Sequence, residues 1–282
     1  MKYTTLVDAA TLAAHLADPA WRVVDCRFEL SNPESGAAAY AAGHVDGAVY
    51  AHLDRDLAGP RSATSGRHPL PEPVALAATL GRLGIGDGTQ VVAYDDAGGM
   101  YAARLWWLLR WLGHDAAAVL DGGLAAWHTA GGALSARPVA VAPARFTARL
   151  RAHSHVGADA VASLVDGGSG ALLDARSAER FEGRVEPLDA LAGHVPGARS
   201  HPYTLNLGAD GRFLPPPELR ARLAAVLAGS TPADAVSMCG SGVTACHTLL
   251  AMEIAELTGA RLYAGSWSEW SRDPVRPVAT GP

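Results

Sequence analysis

The segment Ala235-Val236-Ser237-Met238-Cys239-Gly240-Ser241-Gly242 joins two structural patterns through a thiol and two glycines. Its first four residues form an apolar run typical of a buried strand, and residues 244–254 follow with the periodicity of an amphipathic helix. The first turn of a helix has N–H groups without intrahelical partners, and these groups and the helix dipole favour a thiolate over a thiol. Gly240 and Gly242 let the backbone curl so that several N–H groups point at one sulfur. We therefore predict that Cys239 is a nucleophile.

The chain contains an internal duplication. Four pairs of segments, separated by 143 to 150 residues, occur in the same order in both halves. These pairs are Asp25-Cys26-Arg27 and Asp174-Ala175-Arg176, Gly43-His44-Val45 and Gly193-His194-Val195, residues 91–109 and the segment that contains Cys239, and residues 120–127 and 263–270. Because the order is kept, the sequence predicts two copies of one fold.

Each copy alternates short apolar strands with helical segments, which predicts an α/β domain with a parallel sheet covered by helices on both faces. We expect domains at residues 1–137 and 157–282, joined by a linker at 138–156 that is rich in Pro, Ala and Val. Ligands of such sheets bind beyond the carboxyl ends of the strands, which is where Cys239 falls. A separation of 143 residues places Asp96 opposite Cys239 in the first copy, so we expect the first domain to be non-catalytic.

Composition excludes several classes of protein. The 282 residues are 49% hydrophobic and 18% charged, with a formal net charge of −5 and no basic stripe, so a nucleic-acid partner is not expected. The cysteines, Cys26, Cys239 and Cys246, are too few for a disulfide framework and fit a reducing compartment. The N-terminal residues lack the apolar core of a signal peptide, and no window is apolar enough to span a bilayer. We therefore expect a soluble, cytoplasmic protein without a membrane partner, in which Cys26 and Cys246 are structural.

The loop Cys239-Gly240-Ser241-Gly242-Val243-Thr244-Ala245 resembles the active loop of the tandem rhodanese family of sulfurtransferases, and of its 3-mercaptopyruvate branch in particular. Residues 265–270 and 121–123 are similar to further segments of that family, and the resemblance covers about residues 5–275. It implies two tandem rhodanese-like domains, with the active cysteine in the second. It implies neither a cofactor nor a metal.

The reaction that this resemblance implies is the ping-pong transfer of a sulfane sulfur. Cys239 attacks the sulfur of a small donor, 3-mercaptopyruvate, and pyruvate leaves a persulfide on the cysteine. An acceptor such as cyanide, a small thiol or reduced thioredoxin then removes the outer sulfur. The N–H groups that favour the thiolate also suit a persulfide anion.

The resemblance also assigns roles to individual residues. It implies that Ser241 forms a proton-handling group with Asp54 and His68, and that Arg180, which precedes a Phe, binds the carboxylate of the donor through a planar guanidinium. The remaining residues expected to contact the donor are Gly240, Gly242, Val243, Thr244 and Arg184.

One position departs from the mercaptopyruvate pattern. That branch has a second arginine nine residues after the first, where this chain has Asp189, and the thiosulfate branch tends to have an acid there. Arg184 and Arg67 are candidates to supply the missing charge. Thiosulfate:cyanide sulfurtransfer therefore stays open as an alternative. We expect Asp189→Arg to lower the KM for mercaptopyruvate by pairing with its carboxylate.

Other interpretations of the loop are weaker. Residues 240–245 fit the Gly-x-Gly-x-x-Gly/Ala dinucleotide fingerprint, but the next strand, near residues 261–263, carries no acid. A cysteine phosphatase needs an arginine that closes the loop, and this chain has Ala245 there. A non-enzymatic persulfide carrier stays open, because the first copy has no cysteine at the matching position. Steady turnover of a donor separates an enzyme from a carrier.

Overall fold

A computed structural model describes residues 2–167 and 170–282 and divides the chain into two compact units. The first unit comprises the chain up to Gly59 together with Leu70–Arg151 and Ala209–Phe213. The second comprises Pro60–Pro69, Ala152–Gly208 and Leu214–Pro282. Within the described residues, no helix has the length and apolar character needed to cross a bilayer.

These units differ from a single division at residues 138–156. The expected linker packs in the first unit up to Arg151, where Ala144 N donates to Gly81 O at 2.9 Å. Pro60–Pro69 belongs to the second unit, and Ala209–Phe213 belongs to the first. Local composition did not reveal these exchanges, because they depend on contacts between segments that are distant along the chain.

The first unit is built on a parallel sheet in which β1, β6, β5, β2 and β4 lie side by side in that order. A separate antiparallel pair joins β3 and β7. All residues of β5 are buried, as expected for a strand covered on both faces. The strands are β1 (Leu6–Val7), β2 (Trp21–Asp25), β3 (His44–Val45), β4 (Val49–Tyr50), β5 (Gln90–Tyr94), β6 (Ala117–Leu120) and β7 (Leu134–Ser135), and the helices are α1 (Ala9–His15), α2 (Ser35–Ala42), α3 (Leu53–Asp56), α4 (Pro73–Arg82), α5 (Ala102–Trp111) and α6 (Gly123–Thr129).

The second unit repeats this strand order, with β10, β9, β11, β12 and β8 side by side and parallel. The expected α/β fold with two similar domains is therefore confirmed. Its strands are β8 (His155–Val156), β9 (Ala171–Asp174), β10 (Arg199–Ser200), β11 (Ala235–Met238) and β12 (Arg261–Tyr263), and its helices are α7 (Ala158–Val165), α8 (Ala178–Phe181), α9 (Pro216–Leu227), α10 (Thr244–Ile254) and α11 (Ser266–Trp270). Short 3₁₀ helices span Ala152–Ser154, Tyr203–Asn206 and Pro232–Asp234.

The repeated Asp-x-Arg motif forms a buried ion pair at the end of a strand in each unit. Arg27 Nη2 lies 2.6 Å from Asp25 Oδ2 and donates to Gly43 O at 2.6 Å. The equivalent contacts of the second unit measure 2.7 Å each and join Asp174, Arg176 and Gly193. Two of the repeated sequence motifs thus contact each other, which explains why they recur together.

The helix after Cys239 is more deeply buried than its sequence pattern predicts. In α10, every residue from Ala245 to Met252 is buried, so the helix is covered on all sides rather than on one face. It packs against β11 and α9. This burial fixes the start of α10 and therefore the turn that carries Cys239.

Candidate functional site

Cys239 lies at the point where β11 ends and the chain turns towards α10. Cys239 is 2% exposed, and Gly242 N donates a hydrogen bond to the Cys239 sulfur at 3.1 Å. An amide donor in a buried site stabilises negative charge that develops on the atom it faces. The turn therefore has the anion-stabilising geometry that a sulfur nucleophile requires.

The first two residues of α11 hold the turn that carries Cys239. Ser266 Oγ accepts from Cys239 N at 3.1 Å, and Trp267 N donates to Cys239 O at 2.9 Å. Ser266 has a φ of +55°, in the left-handed region that non-glycine residues rarely adopt. Sequence reasoning noted the Gly-Ser-Trp segment but missed that its serine fixes the backbone of the nucleophile.

His68 and Ser241 form a hydrogen-bonded pair, although 173 residues separate them in sequence. His68 Nδ1 lies 2.7 Å from Ser241 Oγ, and the two residues are 1% and 7% exposed. A hydroxyl and an imidazole in contact can transfer a proton in either direction, as the tautomer of the ring allows. The structure thus brings two of the expected proton-handling residues together.

The segment that carries His68 is anchored to the second unit at successive residues. A Cβ atom added to Gly66 would lie 2.4 Å from Gly265 O, so only glycine allows this close backbone approach. Arg67 N donates to Ser268 Oγ at 2.9 Å. These contacts explain why Pro60–Pro69 packs with the second unit.

Two guanidinium groups lie beside the residue that follows Cys239. A Cβ atom added to Gly240 would lie 3.2 Å from Arg180 Nη1 and 3.6 Å from Arg67 Nη2. Arg180 Nη2 pairs with Glu186 Oε1 at 2.7 Å, and Arg67 Nη1 pairs with Asp189 Oδ1 at 3.0 Å. Arg180 and Arg67 therefore both lie next to the loop that carries Cys239, and the role of Arg180 in donor binding stays a prediction.

The other expected site residues have varied positions. Val243 is buried, and Thr244 is half-buried at the first position of α10. Arg184 is more than half exposed and pairs with Glu182, whereas Arg180 and Arg67 are the two arginines beside Gly240. Asp54 is half-buried in α3 of the first unit, and its catalytic role stays a prediction.

The first-unit counterpart of Cys239 is Asp95, so the expectation of Asp96 was wrong by one residue. Tyr94 pairs with Asp25 at the end of β5, as Met238 pairs with Asp174 at the end of β11, and Asp95 and Cys239 are the next residues. The separation of 143 residues came from the helix and does not hold at the strand, because the turn between strand and helix spans residues 95–101 in the first unit and only 239–243 in the second.

Asp95 shows how this type of turn binds an anion. Its carboxylate is fully buried and accepts four backbone N–H groups, with Oδ1 facing Ala97 and Gly99 and Oδ2 facing Tyr101 and Ala102, all at 2.8 to 2.9 Å. Burial raises the pKa of Asp95, and the amide hydrogen bonds oppose that rise. The equivalent turn of the first unit is thus filled by its own side chain and carries no thiol.

Gly242→Ala should slow the reaction of Cys239 with iodoacetamide about tenfold, the loss expected for one hydrogen bond to a charged group. Gly242 has a φ of +76°, and an added Cβ atom would lie 2.6 Å from Ala264 O, so the backbone must move and its N–H must leave the sulfur. Gly229→Ala is the control, because Gly229 has a φ of +86° but nothing within 4 Å of an added Cβ atom. Equal alkylation rates in the two variants would contradict the role of Gly242 N.

Comparison with known proteins identifies the fold of both units. The rhodanese-like domain model matches residues 8–130 and 157–273. The chain is 49% identical over 283 residues to a probable 3-mercaptopyruvate sulfurtransferase of Pseudomonas aeruginosa, with 100% of each chain covered. It is 41% identical to a Mycobacterium tuberculosis protein provisionally named thiosulfate sulfurtransferase, covering 98% of this chain and 97% of that one.

A solved structure agrees with these relatives. The 3-mercaptopyruvate sulfurtransferase from Leishmania major superposes with a TM-score of 0.83 at 34% identity, covering 95% of this chain and 74% of that one. The two named activities among the similar proteins use different sulfur donors.

Proposed function

Because this chain belongs to the rhodanese-like domain family, we propose that it transfers a sulfane sulfur from 3-mercaptopyruvate to a thiol or to cyanide through a persulfide on Cys239. The observation that carries the proposal is the hydrogen-bonded pair of His68 and Ser241 in the loop whose Gly242 N faces the Cys239 sulfur. This combination supplies a nucleophile and, through contact of its loop with His68, a proton-transfer group.

The first half-reaction breaks a carbon–sulfur bond. The Cys239 thiolate attacks the thiol sulfur of the donor, a sulfur–sulfur bond forms, and the bonding electrons of the broken bond stay on the methylene carbon. That carbon gains one proton to give pyruvate, and the donor thiol loses one, so the cysteine is left as a persulfide anion. One proton must therefore be moved from sulfur to carbon, and His68 with Ser241 is suited to that transfer.

The second half-reaction returns the enzyme to its starting state. A thiol acceptor attacks the outer sulfur, which leaves with the acceptor as a new persulfide, and the Cys239 thiolate is regenerated. With cyanide as acceptor the product is thiocyanate. Gly242 N stabilises the sulfur that carries negative charge in both steps.

Thiosulfate is the second candidate donor. The M. tuberculosis relative is provisionally named for it, and the family resemblance associates an acid at position 189 with that branch. Sulfite is the leaving group in that reaction and needs no proton on carbon. If the reaction with mercaptopyruvate requires the His68–Ser241 contact and the reaction with thiosulfate does not, the two donors can be distinguished by a substitution at this contact.

We predict that kcat/KM is higher for 3-mercaptopyruvate than for thiosulfate, and that Ser241→Ala lowers the first value about 10²-fold while it changes the second little. The thiosulfate reaction of the same variant is the control for folding and for the integrity of Cys239. Steady-state rates with cyanide as acceptor measure both values. A higher kcat/KM for thiosulfate would transfer the protein to the thiosulfate branch, and absence of turnover with either donor would leave a persulfide carrier.

The proposal has three further parts, which concern Asp54, the location of the protein and the acceptor. The role of Asp54 depends on the family resemblance, and Asp54→Asn in the same donor comparison tests it. A cytoplasmic location is supported by Cys26, Cys239 and Cys246, which are free thiols. Thioredoxin is proposed as one acceptor on the resemblance alone.

A further inference from the structure

Arg67 and Arg180 are held by acids that are more deeply buried than the arginines. The Arg67 and Arg180 side chains are 11% and 16% exposed, against 6% for Asp189 and 3% for Glu186. Each acid thus lies behind its guanidinium group. The guanidinium groups of the two cations are the groups nearest to a Cβ atom added to Gly240, and Gly240 follows the nucleophile directly.

One hydrogen-bond donor of Arg67, its Nε, has no acceptor within the described residues. Its Nη1 and Nη2 donate to Asp189 at 3.0 and 3.2 Å, and Nη1 also donates to Leu188 O at 3.3 Å. Its Nε is buried and has no hydrogen-bond partner in the described part of the chain. A buried N–H without an acceptor costs about 1–3 kcal/mol, so Arg67 is not fully satisfied by its protein contacts and keeps the capacity to bind an anion.

The backbone of Arg67 is fixed on both sides. Gly66 packs against Gly265, Arg67 N donates to Ser268 Oγ, and the next residue, His68, contacts Ser241. With the backbone fixed, the direction of the side chain depends on its own partner. That partner is Asp189, which binds both terminal nitrogens.

We infer that Arg67 binds the anionic group of the donor beside Arg180, and that Asp189 is the positioning residue that directs Arg67 towards it. The inference rests on the proposed function and names one determinant of donor binding. A carboxylate that accepts from Arg67 Nη2 and Arg180 Nη1, the nitrogens that lie 3.6 and 3.2 Å from a Cβ atom added to Gly240, would place its attached carbon chain next to Gly240. Asp189 thus acts through Arg67 and does not face the donor.

This assignment reverses the expectation for Asp189→Arg. An arginine at position 189 would face Arg67, whose nitrogen now lies 3.0 Å from the acid, and Arg180, whose nitrogen lies 3.5 Å from it. Three cations would then lie where two cations and an acid lie in the parent protein. Arg67 would lose the ion pair that directs its side chain. We expect the KM for mercaptopyruvate to rise in this variant.

The test uses the full-length protein and two alkylating agents of similar size, anionic iodoacetate and neutral iodoacetamide. Arg67→Gln should lower the iodoacetate-to-iodoacetamide rate ratio at Cys239 about tenfold, because the anion loses a charge partner. It should raise the KM for mercaptopyruvate by a similar factor and leave kcat within about threefold. The iodoacetamide rate is the internal check that the loop is intact, and Arg67→Lys, which keeps the charge, should recover most of the ratio.

Arg222→Gln is the matched control, since Arg222 pairs with Glu218 on the surface of α9. A ratio in Arg67→Gln equal to that in Arg222→Gln would overturn the binding role of Arg67. The alkylation ratio needs no sulfur donor, so a failure of the proposed function, seen as absent turnover in the unmodified protein, is distinguished from a failure of this inference.

The positioning role of Asp189 has its own test. Asp189→Asn should raise the KM for mercaptopyruvate about threefold, and Arg67→Gln combined with Asp189→Asn should be no worse than Arg67→Gln alone. Asp189 directs Arg67 through contacts of 3.0 and 3.2 Å, whereas Arg180, 3.5 Å from Asp189, is held by Glu186 at 2.7 Å. Additive effects of the two substitutions on KM would overturn the assignment of Asp189.

Discussion

Cys239→Ser will lower sulfur transfer from every donor by a factor of about 10³ or more, the scale of loss seen when a covalent nucleophile is removed. A serine hydroxyl at this position is protonated at neutral pH and is a far weaker nucleophile than a thiolate. The hydrogen bond from Gly242 N, at 3.1 Å from the sulfur, cannot compensate for that difference. Mass spectrometry of donor-treated protein should show an adduct of about 32 Da, one sulfur atom, on Cys239 and none in the variant.

The remaining cysteines provide the controls. Cys246 Sγ donates to Gly242 O at 3.2 Å, a contact that a serine hydroxyl can keep, so Cys246→Ser should retain most of the activity. Burial raises the pKa of Cys26 well above its usual value, which makes it an inert thiol, and Cys26→Ser should behave like the parent protein. Substantial turnover by Cys239→Ser, or an adduct on another cysteine, would refute the mechanism.

Features that depend on local pattern were predictable from the sequence. The strand, turn and helix around Cys239 follow from an apolar run, two glycines and a helical repeat within twenty residues. The duplication was visible because its motifs have a structural cause in each unit, such as the buried pair of Asp25 and Arg27 and its contact with Gly43. Because these residues contact each other in each unit, the same motif occurs in both halves of the sequence.

Features that depend on contacts between distant segments were not predictable from pattern. His68 was selected through the family resemblance, since nothing in its own loop indicates a partner 173 residues away. The pairing of Arg67 with Asp189 was invisible for the same reason, although both residues had been noted singly. The sequence alone could not show that the Arg184 side chain is exposed whereas the Arg180 side chain is largely buried.

Asp95→Ala will destabilise the protein by about 3–5 kcal/mol, because it leaves buried N–H groups without acceptors, each worth about 1–3 kcal/mol in unfavourable cases. Four amide donors face this carboxylate, and the residue is fully buried, so solvent cannot replace the lost acceptors without opening the turn. Urea denaturation followed by tryptophan fluorescence and by circular dichroism measures the change. Analysis as separate transitions is required if the two units unfold independently.

Asp95→Asn and Asp96→Ala make this prediction specific. An asparagine keeps one oxygen, which can serve the pair Ala97 and Gly99 or the pair Tyr101 and Ala102 but not both, so it should lose roughly half as much stability as alanine. Asp96 is exposed, and Asp96→Ala should stay within about 0.5 kcal/mol of the parent protein. A larger loss at Asp96 than at Asp95 would restore the alignment expected from the sequence. It would also remove the argument that the same turn holds an anion in both units, as a carboxylate in one and a sulfur in the other.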